Sequence, residues 1–413
     1  MKRDPVLPLY APLLAVLIVL PALGVPVFGA EITVPKLEFA TRGAVKDDTF
    51  VLSSAASADI AIEGGGKYGV YLGFSFAAPN LEKAFAYGNV RITPVTAAPT
   101  ADDYNALADR LNNQAVVALR VAKAAAREPF GAPLEVAYFL GEADSFCSGD
   151  DFPLFFGTPP MGTDFKGFMY FPEGIGGDIT RQYDGIHKVR GTGLSAAVTY
   201  WEKIVPMAYF YQDIGTIDSA TGLPDLGKYS GDLRVLVNAG PAKLEAFGGI
   251  SFRPGEDTIY RGGFLAHLTA GEGAAFLIQC GIPGWEQGDT FSVDNLYFLI
   301  EPRLRFGMFA VYTTFFYHPL WYLQEKTPDE QGKADINLKF LYGDMVSRMF
   351  EFGLELTGGL HSGGIDSSYF MVSPFLSAAT GGLRWDLKIR VKPLDYDTPK
   401  EMFDTFIGIR TAY

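Results

Sequence analysis

Residues 383–392 alternate strictly between apolar and charged side chains, and this pattern restricts the fold more than any other feature of the chain. The apolar side chains are Leu383, Trp385, Leu387, Ile389 and Val391, and the charged ones are Arg384, Asp386, Lys388, Arg390 and Lys392. Because successive side chains of a β-strand point to opposite faces, the segment predicts a strand with one apolar and one charged face. Such a strand suits either the surface of a soluble sheet or a wall between lipid and water.

Similar long strands recur along the chain, and the connections between them alternate in length. Short connections such as 240–241 and 381–383 alternate with long polar ones such as 318–333. Membrane barrels have short turns at one end and longer loops at the other, whereas a soluble sandwich has no reason to keep this order. The sequence therefore predicts an all-β fold, a transmembrane antiparallel up-and-down β-barrel of about 18 strands, within a range of about 16 to 20. The predicted strands are 50–61, 66–77, 84–94, 114–126, 134–145, 190–200, 204–212, 230–239, 242–252, 257–269, 274–282, 291–302, 306–317, 334–342, 347–357, 369–379, 383–392 and 402–413.

The first 30 residues have the features of an export signal. Lys2 and Arg3 precede a long apolar stretch, and the prolines within that stretch disfavour a continuous spanning helix. We predict a signal peptide over residues 1–30, cleaved after Gly29 or after Ala30, with an uncleaved membrane anchor as the alternative. No second run of about 18 apolar residues follows, so any further crossing of a membrane would use strands.

Residues 31–49 follow the predicted signal peptide and precede the first predicted wall strand. The segment 33–43 within them could form one more strand, but bacterial single-chain barrels have even strand counts and periplasmic termini. We therefore predict that 31–49 is a periplasmic lead-in or a lumen segment, and that the barrel comprises residues 50–413.

The composition excludes several classes of function. The chain has a net charge of −13, which disfavours a nucleic-acid partner because such binding needs a basic surface. Its two cysteines, Cys147 and Cys280, could form at most one disulfide bond, so the fold does not depend on a disulfide framework. The four histidines lack metal-ligand spacing, and no catalytic motif is present. We therefore predict no enzyme activity, no cofactor and no metal site.

The charged faces of the predicted strands supply the candidate functional residues. An Arg or Lys on the lipid-facing side at mid-bilayer costs about 2–4 kcal/mol, so the charged faces should point into the lumen. There they would set the electric field that a passing solute meets. The predicted pore-lining residues are Arg234, Lys339, Glu351, Glu355, Arg384, Asp386, Lys388, Arg390 and Arg410.

The connection 146–189 is the longest of the predicted external loops. Loops of this length inside compact domains are usually functional or disordered. It contains Asp150 and Asp151. We predict that the loop folds inwards and narrows the pore, with these acids facing basic wall residues such as Arg234 and Arg390. An outward surface loop is the alternative.

The C-terminal segment "FDTFIGIRTAY" is an amphipathic strand with Tyr413 as its last residue and Gly408 five positions earlier. It resembles the carboxyl-terminal signal of outer-membrane barrel proteins, from which Thr411 departs because a hydrophobic residue is usual two positions before the end. The resemblance implies that Gly408 and Tyr413 are read by the outer-membrane assembly machinery. The phrase "SGDDFPLFFGT" resembles uncharacterised spirochaetal outer-membrane proteins.

These features together predict a porin-like channel or transporter for small solutes in a bacterial outer membrane. Its partners would be the lipid bilayer, the assembly machinery and the solutes themselves, because a barrel of this size has a lumen too wide for wall side chains to fill. One alternative is a barrel scaffold that displays surface loops for adhesion or other interactions. A second alternative is a soluble exported β protein, whose charged strand faces would lie in external water.

Overall fold

The wall of the molecule is a single closed sheet. In the computed structural model, the described residues are 30–46, 48–88, 114–159, 161–163, 185–214, 227–253, 255, 257–271, 273–318, 333–344, 349–361 and 368–411. Within this part of the chain, eighteen strands form one antiparallel barrel. The predicted fold class and the predicted number of strands are confirmed.

In the described part of the chain, two short α-helices lie between the strands. The strands are β1 (Ala30–Lys46), β2 (Thr49–Gly65), β3 (Tyr68–Ala78), β4 (Val116–Arg127), β5 (Leu134–Phe146), β6 (His187–Val198), β7 (Ile204–Asp213), β8 (Tyr229–Ala239), β9 (Ala242–Phe252), β10 (Ile259–Ala270), β11 (Ala274–Glu286), β12 (Tyr297–Phe306), β13 (Phe309–His318), β14 (Lys333–Asp344), β15 (Phe350–His361), β16 (Tyr369–Thr380), β17 (Leu383–Val391) and β18 (Phe403–Thr411). The helices are α1 (Leu81–Gly88) and α2 (Asp151–Phe156).

Pairing between the first and the last strand closes the ring. Each strand pairs with its neighbours in sequence, and β1 also pairs with β18. At this seam Glu38 lies opposite Arg410, and Ala44 lies opposite Asp404. Pairing from strand to strand satisfies the backbone N–H and C=O groups within the wall, as a structure surrounded by lipid requires.

Strand β1 corrects the prediction for residues 31–49, because 31–46 belong to the wall and are not a lead-in or a lumen segment. A β-bulge between Thr33 and Lys36 interrupts the alternation of faces there, and Pro35 within it lacks a backbone N–H. The even-count argument excluded the segment 33–43 only because 84–94 was counted as a wall strand. Strand β1 is amphipathic apart from the bulge, with Glu38 buried on the inner face and Phe39 exposed on the outer face.

Helix α1 corrects the prediction of a wall strand over 84–94, of which residues 89–94 lie outside the described part. The side chain of Asn80 accepts a hydrogen bond of 2.8 Å from the backbone N–H of Lys83, which is the usual capping arrangement at the start of a helix. The predicted total of eighteen strands holds because this missing strand and the unexpected β1 offset each other.

Helix α1 also covers part of the edge of β2. Strand β2 extends beyond its last pair with β3, which joins Ala56 and Ala78. Past that pair, the carboxylate of Glu82 on α1 accepts the backbone N–H of Ser54 at 2.9 Å. The Glu82 side chain thus accepts a hydrogen bond from an edge that has no neighbouring strand at this position.

The break between the predicted strands 291–302 and 306–317 lies inside β12, and the chain reverses at Gly307 and Met308 instead. Gly307 has a φ of 62°, in the left-handed region that glycine adopts at little steric cost. Strand β12 therefore continues past Arg303, which lies on the same inner face as Glu301.

The two ends of the barrel differ in the length of their connections, as the sequence pattern indicated. The end with short turns carries 66–67, 128–133, 199–203, 240–241, 271–273, 307–308, 345–349 and 381–382. The end with long loops carries 47–48, 79–115, 147–186, 214–228, 253–258, 287–296, 319–332, 362–368 and 392–402. Apart from 47–48, each connection of the second end is at least as long as the longest of the first.

Strand β17 illustrates the division between an apolar outside and a charged inside. Its outer face carries Leu383, Trp385, Leu387 and Ile389, which are 36% to 42% exposed, and its inner face carries Asp386, Lys388 and Arg390, which are 6% to 8% exposed. Exposed apolar side chains on other strands include Leu194, Phe210, Leu233, Phe264, Ile336 and Ile407. The alternative of a soluble exported protein is therefore wrong, because it requires the charged faces to meet external water.

Helices do not supply membrane spans in the described residues, since none of those helices is both long and apolar enough to cross a bilayer. The predicted signal peptide lies outside the described part except for Ala30, which begins β1. It stays a prediction.

Candidate functional site: the barrel lumen

A segment that follows β5 turns back into the barrel. We call residues 147–163 the inward lobe; its described residues are 147–159 and 161–163. The two ends of the lobe touch, because a Cβ atom added to Gly149 would lie 3.0 Å from the backbone nitrogen of Gly162. Gly149 also has a φ of +86°, which favours glycine. Helix α2 lies between these ends, so the lobe is a compact closed loop.

The inward lobe packs on the inner face of one half of the wall. Phe152 and Met161 of the lobe are buried in an apolar cluster with side chains of β5 to β13. The wall members of this cluster are Phe139, Phe146, Val189, Val205, Met207, Tyr209, Tyr211, Leu236, Phe247, Leu265, Leu277, Tyr297, Leu299 and Phe316. The inward lobe therefore covers much of the inner face of β5 to β13.

Arg234 on β8 lies beneath the lobe and is surrounded by carboxylates. Its Nη1 donates to Asp144 Oδ2 at 2.8 Å and to Asp151 of the lobe, and its Nε donates to Glu245 Oε1 at 2.8 Å. Arg234 is 2% exposed, and its guanidinium also lies 5.1 Å from the ring centroid of Phe146. Arg234 faces inwards, but its side chain holds the lobe instead of meeting the solvent of a pore.

Asp150 is exposed on the lobe, and its backbone N–H donates to Ser148 Oγ at 3.2 Å. The tip of the lobe is apolar, because Leu154 on α2 is 75% exposed. A cavity of about 640 Å³ lies between this tip and the inner face of β2 to β7. Tyr71 and Arg120 line the wall side of the cavity.

The bases of β4 line this cavity, and each is paired with acids. The ion pairs are Arg120 with Asp59 (3.3 Å) and Glu142 (3.1 Å), Lys123 with Glu135 (3.0 Å), and Arg127 with Glu135 (3.3 Å) and Glu63 (3.7 Å). Glu142 also pairs with Lys188 (3.6 Å) and Arg190 (2.8 Å) of β6, so acids and bases form one network of ion pairs beside this cavity.

The opposite wall, formed by β14 to β18 and β1, carries most of the predicted pore-lining residues. The contacts there are Lys339 over the ring of Phe375 (5.4 Å to the centroid), Arg384 with Glu351 (2.6 Å) and Asp386 (2.8 Å), Arg410 with Asp386 (3.1 Å), and Lys388 with Glu355 (2.9 Å). These side chains form a continuous ladder of charges along neighbouring strands. Each of these residues faces the interior.

The ladder continues across the seam between β17, β18 and β1. Arg390 and Arg42 both face the ring of Phe406, with their Cζ atoms 5.0 Å and 5.7 Å from its centroid. Arg42 pairs with Asp404 at 3.0 Å. Arg390, which the sequence suggested as a partner for the lobe acids, therefore lies at the seam, and Asp151 pairs with Arg234 instead.

Of the two residues of the predicted assembly signal, the described part of the structure includes Gly408. Gly408 is buried on the inner face of β18, opposite Ala40 of β1 and Asp386 of β17. Tyr413 lies outside the described residues. A role for either residue in assembly stays a prediction.

Cys147 begins the inward lobe and is fully buried at 0% exposure. Burial and the nearby carboxylate of Glu245 raise the pKa of its thiol well above the ordinary value. The thiol is therefore protonated at neutral pH and is shielded from reagents in water. Across the described ranges, no group of three or more His, Cys, Asp or Glu residues is arranged to hold a metal ion.

Sequence reasoning missed two acids of the Arg234 cluster, Asp144 and Glu245. The alternation in β5 assigns even-numbered positions such as Leu140 to the outer face, but a bulge between Glu142 and Asp144 moves Asp144 inwards. Glu245 lies on the inner face of β9, as the alternation of side chains along that strand indicates. A single acid in an otherwise apolar strand could have identified Glu245 as a candidate. Its pairing with Arg234 could not be predicted, because that contact depends on how the strands pair.

Comparisons with known proteins show similarity of fold. No protein-family model and no curated protein matches the sequence. The solved structure of OccK2 (OpdF) of Pseudomonas aeruginosa in complex with glucuronate has a TM-score of 0.51 at 9% identity, and the match covers 92% of this chain and 97% of that one. OccAB4 of Acinetobacter baumannii has a TM-score of 0.50 at 10% identity, with 93% and 97% covered.

These structures are outer-membrane porins, and the match spans nearly the whole of both chains. The closed ring of eighteen strands, the apolar outside and the charged inside agree with that likeness. The chain therefore has the fold of a bacterial outer-membrane β-barrel of the porin type.

Proposed function

We propose that the protein is an outer-membrane channel for small solutes. The observation that carries this proposal is the inward lobe, which occupies one half of a lumen whose opposite wall is lined with charged side chains. Wall side chains cannot fill a barrel of eighteen strands. A lobe that covers only half of the lumen narrows the passage and leaves room for a solute.

The charge ladder gives the proposed channel its means of selection. Arg384, Lys388 and Arg390 project inwards from β17, where Arg384 pairs with Glu351 and Lys388 pairs with Glu355, both on β15. Charged groups in a narrow, low-dielectric passage attract or repel ions strongly. The solved OccK2 structure contains glucuronate, a small carboxylated sugar, and supports small charged solutes as the class to test.

Planar lipid bilayers test this proposal. Purified protein that has refolded into a heat-modifiable barrel should produce discrete conductance steps, and glucuronate should reduce the ionic current if it enters the lumen. A barrel that inserts into the bilayer without conductance steps would favour the alternative of a scaffold that displays loops.

Three finer expectations belong with this proposal. Export by the segment 1–30, reading of Gly408 and Tyr413 by an assembly machinery, and kinship with spirochaetal outer-membrane proteins all stay predictions. The pairing of β18 with β1 supports the second of these, because the C-terminal strand completes the wall.

A further inference from the structure

We propose that Glu301 is a positioning residue, which holds the far end of the inward lobe from the inner face of β12 and so sets the width of the pore. The inference rests on the channel function proposed above, because a pore width matters only in a channel. It concerns a second attachment of the lobe, distinct from the ion pair between Asp151 and Arg234.

Glu301 is a fully buried carboxylate with partners from both the wall and the lobe. It accepts hydrogen bonds from Thr314 Oγ1 of β13 at 2.8 Å and from Arg303 Nε at 2.7 Å. It also accepts one from Thr163 Oγ1, which belongs to the lobe. A buried charge is costly unless hydrogen bonds satisfy it, so the lobe hydroxyl is part of the environment that stabilises this carboxylate.

Arg303 extends the attachment to the lobe backbone. Its Nη2 pairs with Glu301 at 2.5 Å and donates to the carbonyl oxygen of Gly162 at 2.6 Å. Glu301 thus fixes the orientation of a guanidinium that binds the residue next to Thr163. Hydrogen bonds with a charged donor or acceptor are shorter and stronger than neutral ones, and here they converge on two consecutive lobe residues.

The attachment governs the whole lobe because the ends of the lobe meet. Wall residues also hold the near end, where Cys147 donates its N–H to Glu245 at 2.5 Å and accepts from Gln279 Nε2 at 2.6 Å through its carbonyl. With Gly149 against Gly162, fixing both ends fixes the base of the loop. The exposed tip at Leu154 then has a defined position in the lumen.

The chain offers a matched pair of variants for a test. Thr163→Val removes the lobe hydroxyl from Glu301, and Thr314→Val removes a wall hydroxyl from the same carboxylate. Both threonines are buried, at 6% and 1% exposure, and the replacement is similar in size. If Glu301 only stabilised the wall and did not position the lobe, the two variants would have the same effect on the lobe.

Cys147 supplies a readout that does not depend on conduction. In a Cys280→Ser background, a water-soluble maleimide can report only on Cys147, which is buried in the same cluster as Phe152 and Met161 of the lobe. We expect Thr163→Val to raise the labelling rate about tenfold, the effect of losing one hydrogen bond to a charged group. Thr314→Val should leave that rate close to the parent value, and Thr163→Ser should restore it.

Single-channel conductance supplies the second readout. Thr163→Val should raise the conductance, and Thr314→Val should not. Equal labelling rates in the two valine variants, or an unchanged rate in Thr163→Val, would overturn the positioning role. If Thr163→Val does not give a heat-modifiable barrel, Thr163→Ala compared with Thr314→Ala decides the question in the same way.

The two readouts separate this inference from the function on which it rests. A parent protein without conductance would contradict the channel, while the difference in labelling would still report on the attachment of the lobe. A conducting parent with no difference in labelling would contradict the attachment and leave the channel standing.

Discussion

Asp151 of the inward lobe and Arg234 of β8 form an ion pair inside the barrel, although 83 positions separate them in the sequence. The same guanidinium binds Asp144 of β5 and Glu245 of β9. One buried cation therefore joins the lobe to three strands of the wall. The lobe is held in the lumen by specific contacts, not only by apolar packing.

The first prediction concerns the stability of this cluster. Arg234→Met should destabilise the barrel by roughly 3–5 kcal/mol, because it leaves several buried carboxylates without their cation. Asp151→Asn should cost only about 1 kcal/mol, since Arg234 keeps two acids and the amide oxygen can still accept a hydrogen bond. Denaturant unfolding of the refolded barrel, followed by the loss of heat-modifiable migration, measures both. Equal losses in the two variants would show that Arg234 is not the centre of the cluster.

The orientation of the strands was predictable from the sequence because it is a local property. In 383–392 each side chain takes one of two faces, and the cost of a charge in lipid decides which face points outwards. The prediction failed at residues 31–49, because the even-count argument removed 33–43 from the wall while 84–94 was counted as a strand. It failed at 84–94, where Asn80 starts a helix.

The partners of the site residues were not predictable in the same way. Thr163 donates a hydrogen bond to Glu301, which lies 138 positions later in the sequence. The sequence around either residue does not indicate the other as its partner. Such contacts depend on strand register around the whole ring and on which loop turns inwards. The contact between Asp151 and Arg234 was suggested only by opposite charge, and the same reasoning also suggested Arg390, which lies at the seam.

The second prediction tests the two faces of β17. In a background of Cys147→Ala and Cys280→Ala, Lys388→Cys should react with a small water-soluble thiol reagent, because position 388 faces the lumen. Leu387→Cys should stay unreactive, because position 387 faces the lipid. Labelling of the refolded protein in bilayer vesicles measures this, and the reverse result would invert the assignment of the faces.

The third prediction concerns ion selectivity along the charge ladder. Arg384→Gln should shift the reversal potential towards cations by about twofold in the permeability ratio, the effect of one charge several ångströms from a passing ion in water. Glu351→Gln removes the acidic partner of the same ion pair and should shift the ratio towards anions. Bilayer recordings in a KCl gradient give both ratios. Shifts of the same sign in both variants would show that the pair does not line the path.

The fourth prediction tests the role of β1 in the wall. A protein that lacks residues 31–46 should fail to form a heat-modifiable, protease-resistant barrel, because β2 and β18 would both lose their pairing partner and expose backbone groups. Replacing Lys36 and Glu38 together by Gln is the matched control, which alters inner-face charges and keeps the strand. A deletion variant that still folds would restore the view of 31–49 as a dispensable lead-in.

The most direct test of the account is the single-channel conductance of the intact protein compared with a variant that lacks residues 150–161. The contact between Gly149 and Gly162 allows these residues to be joined with little movement, and Thr163 and Glu301 remain in place. If the inward lobe narrows a solute channel, the intact protein conducts in discrete steps and the deletion variant conducts in larger ones. Equal conductance in two correctly folded proteins, or no conductance in either, would contradict the account.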